Sequence, residues 1–312
     1  EGSDEEVTGT PYPSCPCEGG ENVNSGNGNN NQTFPILSIN KGINLPVVVA
    51  LKSDSMNLSS SLRQAAISVS AIGGKWFLNY QMPLLYNASS NTITVLTGDG
   101  RELRFNFGYM DFSTGEQVFL APQGYAKLQV RRSPYNGSVK FVIRDVFGQP
   151  SVIYRYPSSP DGVVVFLSSV EDASGNKVEI VRDGSGKITK LVAQNGQEVV
   201  FLYNPDGSLS QIQAPSGTVS VNFTEQQIDA VTKKQTLSLT DPSGSVWRVS
   251  HVLVQQSDGS YRMSQSQWQD PSNRTKTASF DPSLDRISGY TTSNNTPQTL
   301  SLIHISEPTR QA

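Results

Sequence analysis

The chain has 312 residues, with 24 Lys and Arg against 27 Asp and Glu, a net charge of −3, and only 16% charged residues. That balance leaves no basic footprint for nucleic acid or an anionic membrane surface, and no apolar run is long enough to span a bilayer as a helix. The length allows one large core or two domains. A surface rich in Ser, Thr, Asn, Gln and Gly suits the neutral polar strand faces of an extracellular β-protein.

In chain order, residues 1–32 come first. They are rich in Gly, Asn, Glu and Ser, with Gly26-Asn-Gly-Asn-Asn-Asn31, and hold too little apolar surface to offset ordering entropy. They read as a flexible linker. Within them Cys15 and Cys17 are too few for a metal site and too close for a relaxed mutual disulfide. A partner upstream, or two idle thiols, is the expectation. The chain starts at Glu1 without a Met, so a missing upstream segment is expected too.

From Phe34 to about residue 290 the pattern is short strands separated by turn signals. Strands are expected at 45–51, 65–71, 92–97, 102–107, 117–120, 126–131, 138–143, 151–156, 163–170, 177–182, 187–192, 197–203, 208–213, 218–223, 236–240, 245–254 and 260–268. Gly98-Asp-Gly100, Tyr135-Asn-Gly137, Pro160-Asp-Gly162, Asp241-Pro-Ser-Gly244 and Asp258-Gly259 mark turns between them. No stretch holds a 3.6-residue period over a helical length, and Gln226–Lys234 comes nearest. The expected class is all-β.

The strongest local signal is Gly196-Gln-Glu-Val-Val-Phe201-Leu-Tyr203-Asn204-Pro-Asp206-Gly207-Ser-Leu209, a strand, an Asn-Pro-Asp-Gly turn and a second strand. Phe201 and Tyr203 share one face. Glycines at 175, 186, 196, 207 and 217 follow one another at intervals of 11, 10, 11 and 10 residues, so a two-strand hairpin takes 21. A fixed period of this kind signals a repeat architecture. Two hairpins approach the length of one propeller blade, so a β-propeller is the alternative to a long curled sheet of antiparallel hairpins.

The Gly196–Leu209 segment resembles the Rhs/YD repeat, in which Gly precedes an aromatic pair, an Asp, and a closing Gly-Arg-Leu. Phe201 and Tyr203 stand at the aromatic places, Asn204 at the Asp, and Gly207 and Leu209 at the close, with Ser208 in place of Arg. The Gly175 repeat is similar: Ile180 and Arg182 take the aromatic places, Asp183 matches, and Gly186-Lys-Ile188 ends it. Upstream, Gly74-Lys-Trp76-Phe-Leu78-Asn-Tyr80 resembles the lead-in to such repeats with one insertion, and Asp99-Gly100-Arg101-Glu-Leu-Arg-Phe105 the hairpin that follows it. Phe119-Leu-Ala-Pro122-Gln-Gly124 is similar to a further step of the same family.

The resemblance implies a β-sheet that spirals into a shell, enclosing a C-terminal toxin in bacterial members and displaying adhesive surfaces in animal ones. It implies a secreted or cell-surface location, and as partners the rest of its own chain, with surface glycans or proteins as further candidates; charge and hydropathy lead to the expectation of no nucleic acid and no membrane insertion. Between the linker 1–32 and a tail at 300–312, the expected parts are an N-terminal β region at 33–110 and a repeat sheet at 111–299. That tail, Leu300-Ser-Leu-Ile-His304-Ile-Ser-Glu-Pro-Thr-Arg-Gln-Ala312, lacks strand alternation and resembles a translated sequencing-adapter read. It is expected to lie outside the fold, and the chain to be a fragment.

Chemistry-bearing residues are sparse. With the tail set aside, His251 is the sole histidine, and Trp247-Arg-Val249-Ser-His251-Val-Leu253 places it on an apolar strand face as a packed side chain. Asp99, Asp161, Asp172, Asp183, Asp206, Asp241 and Asp258 stand in Gly-containing turns, where Asp forms the turn, and Glu116, Glu171 and Glu198 have no evident pair. Gly184-Ser-Gly186-Lys187 reads as a turn, not a phosphate loop. Tyr154, Tyr156, Phe166, Phe201, Tyr203 and Phe223 read as cross-strand packing, with a carbohydrate platform as the alternative. Asn31, Asn57, Asn87, Asn136, Asn222 and Asn273 open glycosylation sequons, which matter only where the source glycosylates. No enzyme activity, metal or cofactor is expected.

Overall fold

A computed structural model describes residues 23–24, 29–39, 47–54, 60–281, 286–292 and 297–298. The elements begin with β1 (Val23–Asn24), β2 (Asn29–Ile39), β3 (Val47–Asp54), the helix α1 (Ser61–Ser70) and β4 (Trp76–Leu78). Then come β5 (Leu84–Asn87), β6 (Thr92–Leu96), β7 (Glu102–Asp111), β8 (Glu116–Leu120), β9 (Leu128–Arg132), β10 (Ser138–Arg144) and β11 (Pro150–Ser158). They are followed by β12 (Val164–Val165), β13 (Ser169–Asp172), β14 (Lys177–Arg182), β15 (Ile188–Ala193), β16 (Glu198–Tyr203), β17 (Leu209–Ala214) and β18 (Gly217–Gln227). The last are β19 (Thr232–Thr240), β20 (Val246–Gln255), β21 (Tyr261–Gln269), β22 (Thr275–Asp281), β23 (Arg286–Thr292) and β24 (Pro297–Gln298). The class is all-β and antiparallel, with one short helix among the described residues.

The structure divides into two compact units between Asn222 and Phe223, inside the 111–299 region. In the first, β3 pairs with β2 and β4 in a small sheet. Strands β5 to β11 then pair each with the next, β11 pairs with β13, and the ladder runs on to β18. β12 returns to β5 through two residue pairs, Val164 with Leu85 and Val165 with Leu84. So short a tie does not close a barrel, because β11 continues the sheet through β13. A propeller would break the ladder into separate blades; this ladder is unbroken from β5 to β11 and from β13 to β18, so the propeller alternative is set aside.

In the first unit Ile93, Phe105, Phe119, Val130 and Phe141, one from each of β6 to β10, are fully or almost fully buried. Phe105 and Phe141 meet edge to face with centroids 5.7 Å apart, and Tyr86 meets Phe119 at 6.2 Å. Tyr86 and Phe119 stand three strands apart, about 14 Å in a flat sheet, so the sheet bends locally here. The second unit carries β19 to β23 as a ladder, with Leu253, Met263, Ala278 and Phe280 as a core cluster and Tyr261 packed against it.

Three expectations are corrected. The strand expected at 65–71 is the end of α1. Ile67-Ser-Val69-Ser70 alternates like a strand, but Ser60 accepts the Arg63 amide as N-cap and Ala71 closes the helix in the left-handed region. Leu62 and Ala66, one turn apart, bury with Phe77 and Leu96, and that packing selects the helix. The single strand expected at 163–170 is split into β12 and β13, because the chain leaves β11 to touch β5. Gln226–Lys234, where no full helical period was expected, is indeed strand, turn and strand: Ile228 and Asp229 donate to the Thr232 carbonyl. Of the linker expected at 1–32, residues 23–24 and 29–32 stand in β1 and β2; the rest, with Cys15, Cys17 and the tail 300–312, lies outside the described residues.

Candidate functional site

The repeat signature of the sequence becomes one recurrent turn. In 97–101, 145–149, 172–176, 183–187, 193–197, 204–208, 241–245, 256–260 and 270–274, the first amide donates to the fifth carbonyl at 2.7–3.0 Å. In the same nine segments the fourth amide donates to the first carbonyl at 2.8–3.2 Å. This is a type I turn closed by a left-handed residue, the three-residue hairpin loop. Glycines 100, 148, 175, 186, 196, 207, 244 and 259 hold φ between 80 and 87° at the fourth place, and Asn273 holds it at 62°. Only Gly enters that region freely, with Asn next, which is why glycine spacing reveals the hairpins.

Asp plays two parts in these turns. At the first place its Oδ1 accepts two amides: Asp172 from Ser174 and Asn176 (both 2.9 Å), Asp183 from Ser185 (2.8 Å) and Lys187 (3.0 Å). At the third place it accepts one, as Asp206 does from Ser208 at 2.8 Å. The Ser185 hydroxyl, ahead of the backbone amides, holds the Asp183 carboxyl below its usual range, and Asn176 does the same for Asp172. Asp161 departs from the expected role: its Oδ1 accepts the Ala88 amide at 2.6 Å and ties the stretch before β12 to β5.

The two repeats superimpose chemically. Phe201 is 3% exposed and Leu209 equally buried, on the core face of β16 and β17. Tyr203 donates its hydroxyl to the Ile188 carbonyl at 2.8 Å, and the Lys187 ammonium lies 5.1 Å from its ring. Lys187 also donates to the Gly207 carbonyl at 2.7 Å, joining the turns 183–187 and 204–208. A Cβ at Gly207 would stand 2.7 Å from the Lys187 nitrogen, which would have to swing aside, so φ is what requires the glycine. Asn204 opens its turn and bonds Ser208 at 2.9 Å, and the Leu209 amide donates to Ala71 at 2.8 Å, docking the end of α1.

In the preceding repeat Arg182 stands where Tyr203 stands, each beside a register shift next to its turn. Its guanidinium donates to the carbonyls of Leu167 (3.2 Å), Tyr80 (3.2 Å) and Gly186 (2.9 Å) and to Gln81 Oε1, and lies 5.1 Å from the Phe166 ring. Burial lowers its pKa to about 10. Through it the repeat meets the lead-in segment, a link that no local pattern announced.

The lead-in segment assembles as well. Gly74 has φ 58°, Trp76 is 1% exposed and Phe105 fully buried. Arg101 pairs with Asp99 within the turn 97–101, its Nε to Oδ2 at 2.7 Å, and its guanidinium lies 5.4 Å from the Tyr125 ring. The turn packs on the segment after Trp76: a Cβ at Gly98 would lie 3.0 Å from the Asn79 carbonyl, and one at Gly100 3.9 Å from Phe77. Of the other aromatics, Tyr156 is buried, Tyr154 packs on Phe141 at 5.5 Å, and Phe166 and Phe223 are half-buried. Among the described residues the most exposed aromatics are Phe112, Tyr135 and Phe147, all at turns, while Phe107 and Tyr109 are exposed on β7. His251 is buried on β20, and among the described residues no group of three His, Cys, Asp or Glu side chains could hold a metal.

These features define a class, an all-β protein of antiparallel hairpins joined by one recurrent turn. No protein-family model matches the chain, and no curated protein matches it.

Proposed function

We propose that the chain is a non-enzymatic wall segment of a longer, secreted or cell-surface Rhs/YD-like protein, whose β-shell encloses or displays a domain encoded downstream. The observation that carries this reading is the repeated five-residue turn, with Gly or Asn at one fixed place, joined to buried Phe201 and Leu209 and to the Tyr203–Lys187 and Arg182 ties between successive hairpins. A hairpin cannot bury its core face alone, so stacking neighbours extends the wall without a catalytic centre. Its first partner is the rest of its own chain. Sequencing the source DNA past residue 299 tests the reading. Further 21-residue hairpins with Gly turns, then an unrelated terminal domain, are expected; an immediate stop or a cell-wall anchor overturns the shell.

Exposed Phe112 and Tyr135 favour a second reading, a surface adhesin that holds glycans on turn aromatics. Both rings stand at least nine-tenths exposed, and a Cβ at Gly115 in the first turn would lie 3.5 Å from the Tyr135 ring. A glycan array with the purified chain decides it: specific binding lost in Phe112→Ala supports the adhesin, and no binding removes it.

A further inference from the structure

Asn followed by Gly is the pair most prone to lose side-chain ammonia, because glycine lets the next backbone nitrogen reach the side-chain carbon. The chain has this pair at Asn27, Asn136 and Asn195, the first of them outside the described residues. Asn136 and Asn195 are both exposed in turns, yet their glycines are held differently. Gly137 is buried: its amide donates to Ser133 and its carbonyl accepts from Ser159, both at 2.9 Å. A Cβ there would stand 2.9 Å from the Ser158 hydroxyl. Gly196 is exposed: its amide donates to Ala193 at 2.9 Å, and a Cβ there would meet nothing within 4 Å. Ring closure requires the Asn-Gly peptide to rotate out of its hairpin bond, and Gly196 has the open space for that motion.

The turn also accommodates the product. Asn195 is the third residue of the turn 193–197, the place that Asp99, Asp206 and Asp258 occupy in the turns 97–101, 204–208 and 256–260. Asp206 accepts the Ser208 amide at 2.8 Å, Asp258 the Ser260 amide at 2.9 Å, and Asn195 Oδ1 the Gln197 amide at 3.1 Å. An aspartate at 195 keeps that bond and makes it charge-assisted.

We propose that Asn195 is a site of spontaneous deamidation in the folded chain, while Asn136 is protected. The Gly196 nitrogen gives its proton to hydroxide and attacks Asn195 Cγ. The N–Cγ bond forms, the Cγ–Nδ2 bond breaks, and ammonia leaves. Water then opens the five-membered imide at either carbonyl, giving aspartate or isoaspartate with no change in oxidation state. Each event adds one negative charge to the turn. Aspartate reproduces the sister turns, whereas isoaspartate lengthens the backbone of a five-residue turn and disrupts its closure. The site stands independently of the shell reading.

Peptide mapping by mass spectrometry tests the assignment, with the full chain kept in mildly alkaline buffer both folded and unfolded in urea. In urea the two Asn-Gly pairs should react at similar rates. In the folded chain Asn195 is expected to react about tenfold faster than Asn136, whose glycine has one further backbone hydrogen bond to open. Asn195→Asp should melt no lower than wild type at neutral pH. Equal rates at the two sites in the folded chain overturn the proposal. So does an Asn195 that stays intact in the folded chain after it has reacted fully in urea. An Asn195→Asp variant that melts well below wild type overturns the fit of the product.

Discussion

Phe201 and Tyr203 show how one strand divides its labour. Phe201 fills the core face, and truncation to Ala removes a buried ring, so Phe201→Ala should cost about 3–5 kcal/mol in denaturant unfolding. Tyr203→Phe keeps the ring under Lys187 and loses only the bond to Ile188, about 1 kcal/mol. Equal losses in the two variants would contradict this division. The turn carboxylates add a pH dependence. Asp183 and Asp172 titrate below their unfolded value of about 3.9, and Asp111, held by the Ser113 hydroxyl and then by backbone and Arg131, is lowered to about 2. Their folded pKa values are depressed. Their stabilisation is therefore present above about pH 4 and is lost as pH falls through the folded values. Asp183→Asn keeps an oxygen for both amides but no charge, so its melting temperature should fall less than wild type's between about pH 5 and pH 2. An unchanged acid profile would show that the charge contributes nothing.

At the scale of the element, the turn is the unit of information. Eight glycines and Asn273 fill one left-handed place, so Gly196→Asn should cost little, whereas Gly196→Val should cost about 1–2 kcal/mol or more. A chemical melt in which both variants match wild type would refute the turn assignment. The same constraint made most of the sheet readable: glycines ten or eleven residues apart mark hairpin ends, and strands between them fall within a few residues of their expected places. What failed was governed by distant partners. α1 is written as Ile67-Ser-Val69-Ser70, an alternation that suits a strand, and only its packing on Phe77 and Leu96 makes it helical. Split β12 and β13 depend on contact with Leu84 and Leu85, far back in the chain. Arg182 was legible as an oddity at an aromatic place, yet its bond to Gln81 spans 101 positions and leaves no local trace.

Across the molecule, the first unit ties a lead-in segment, a helix and a repeat sheet together through carbonyl-bound Arg182, the α1 end at Leu209, and Asp161 on β5. The second unit carries its own ladder and core. Hairpin stacking adds strands one after another, an arrangement suited to a wall that lengthens with each repeat. Electron cryo-microscopy of the complete natural protein tests that account most directly. It predicts that the hairpins continue beyond residue 299 in an unbroken antiparallel ladder that curls around, or presents, a separate downstream domain. A ladder that ends near that residue, with any following domain tethered outside it, would contradict the account.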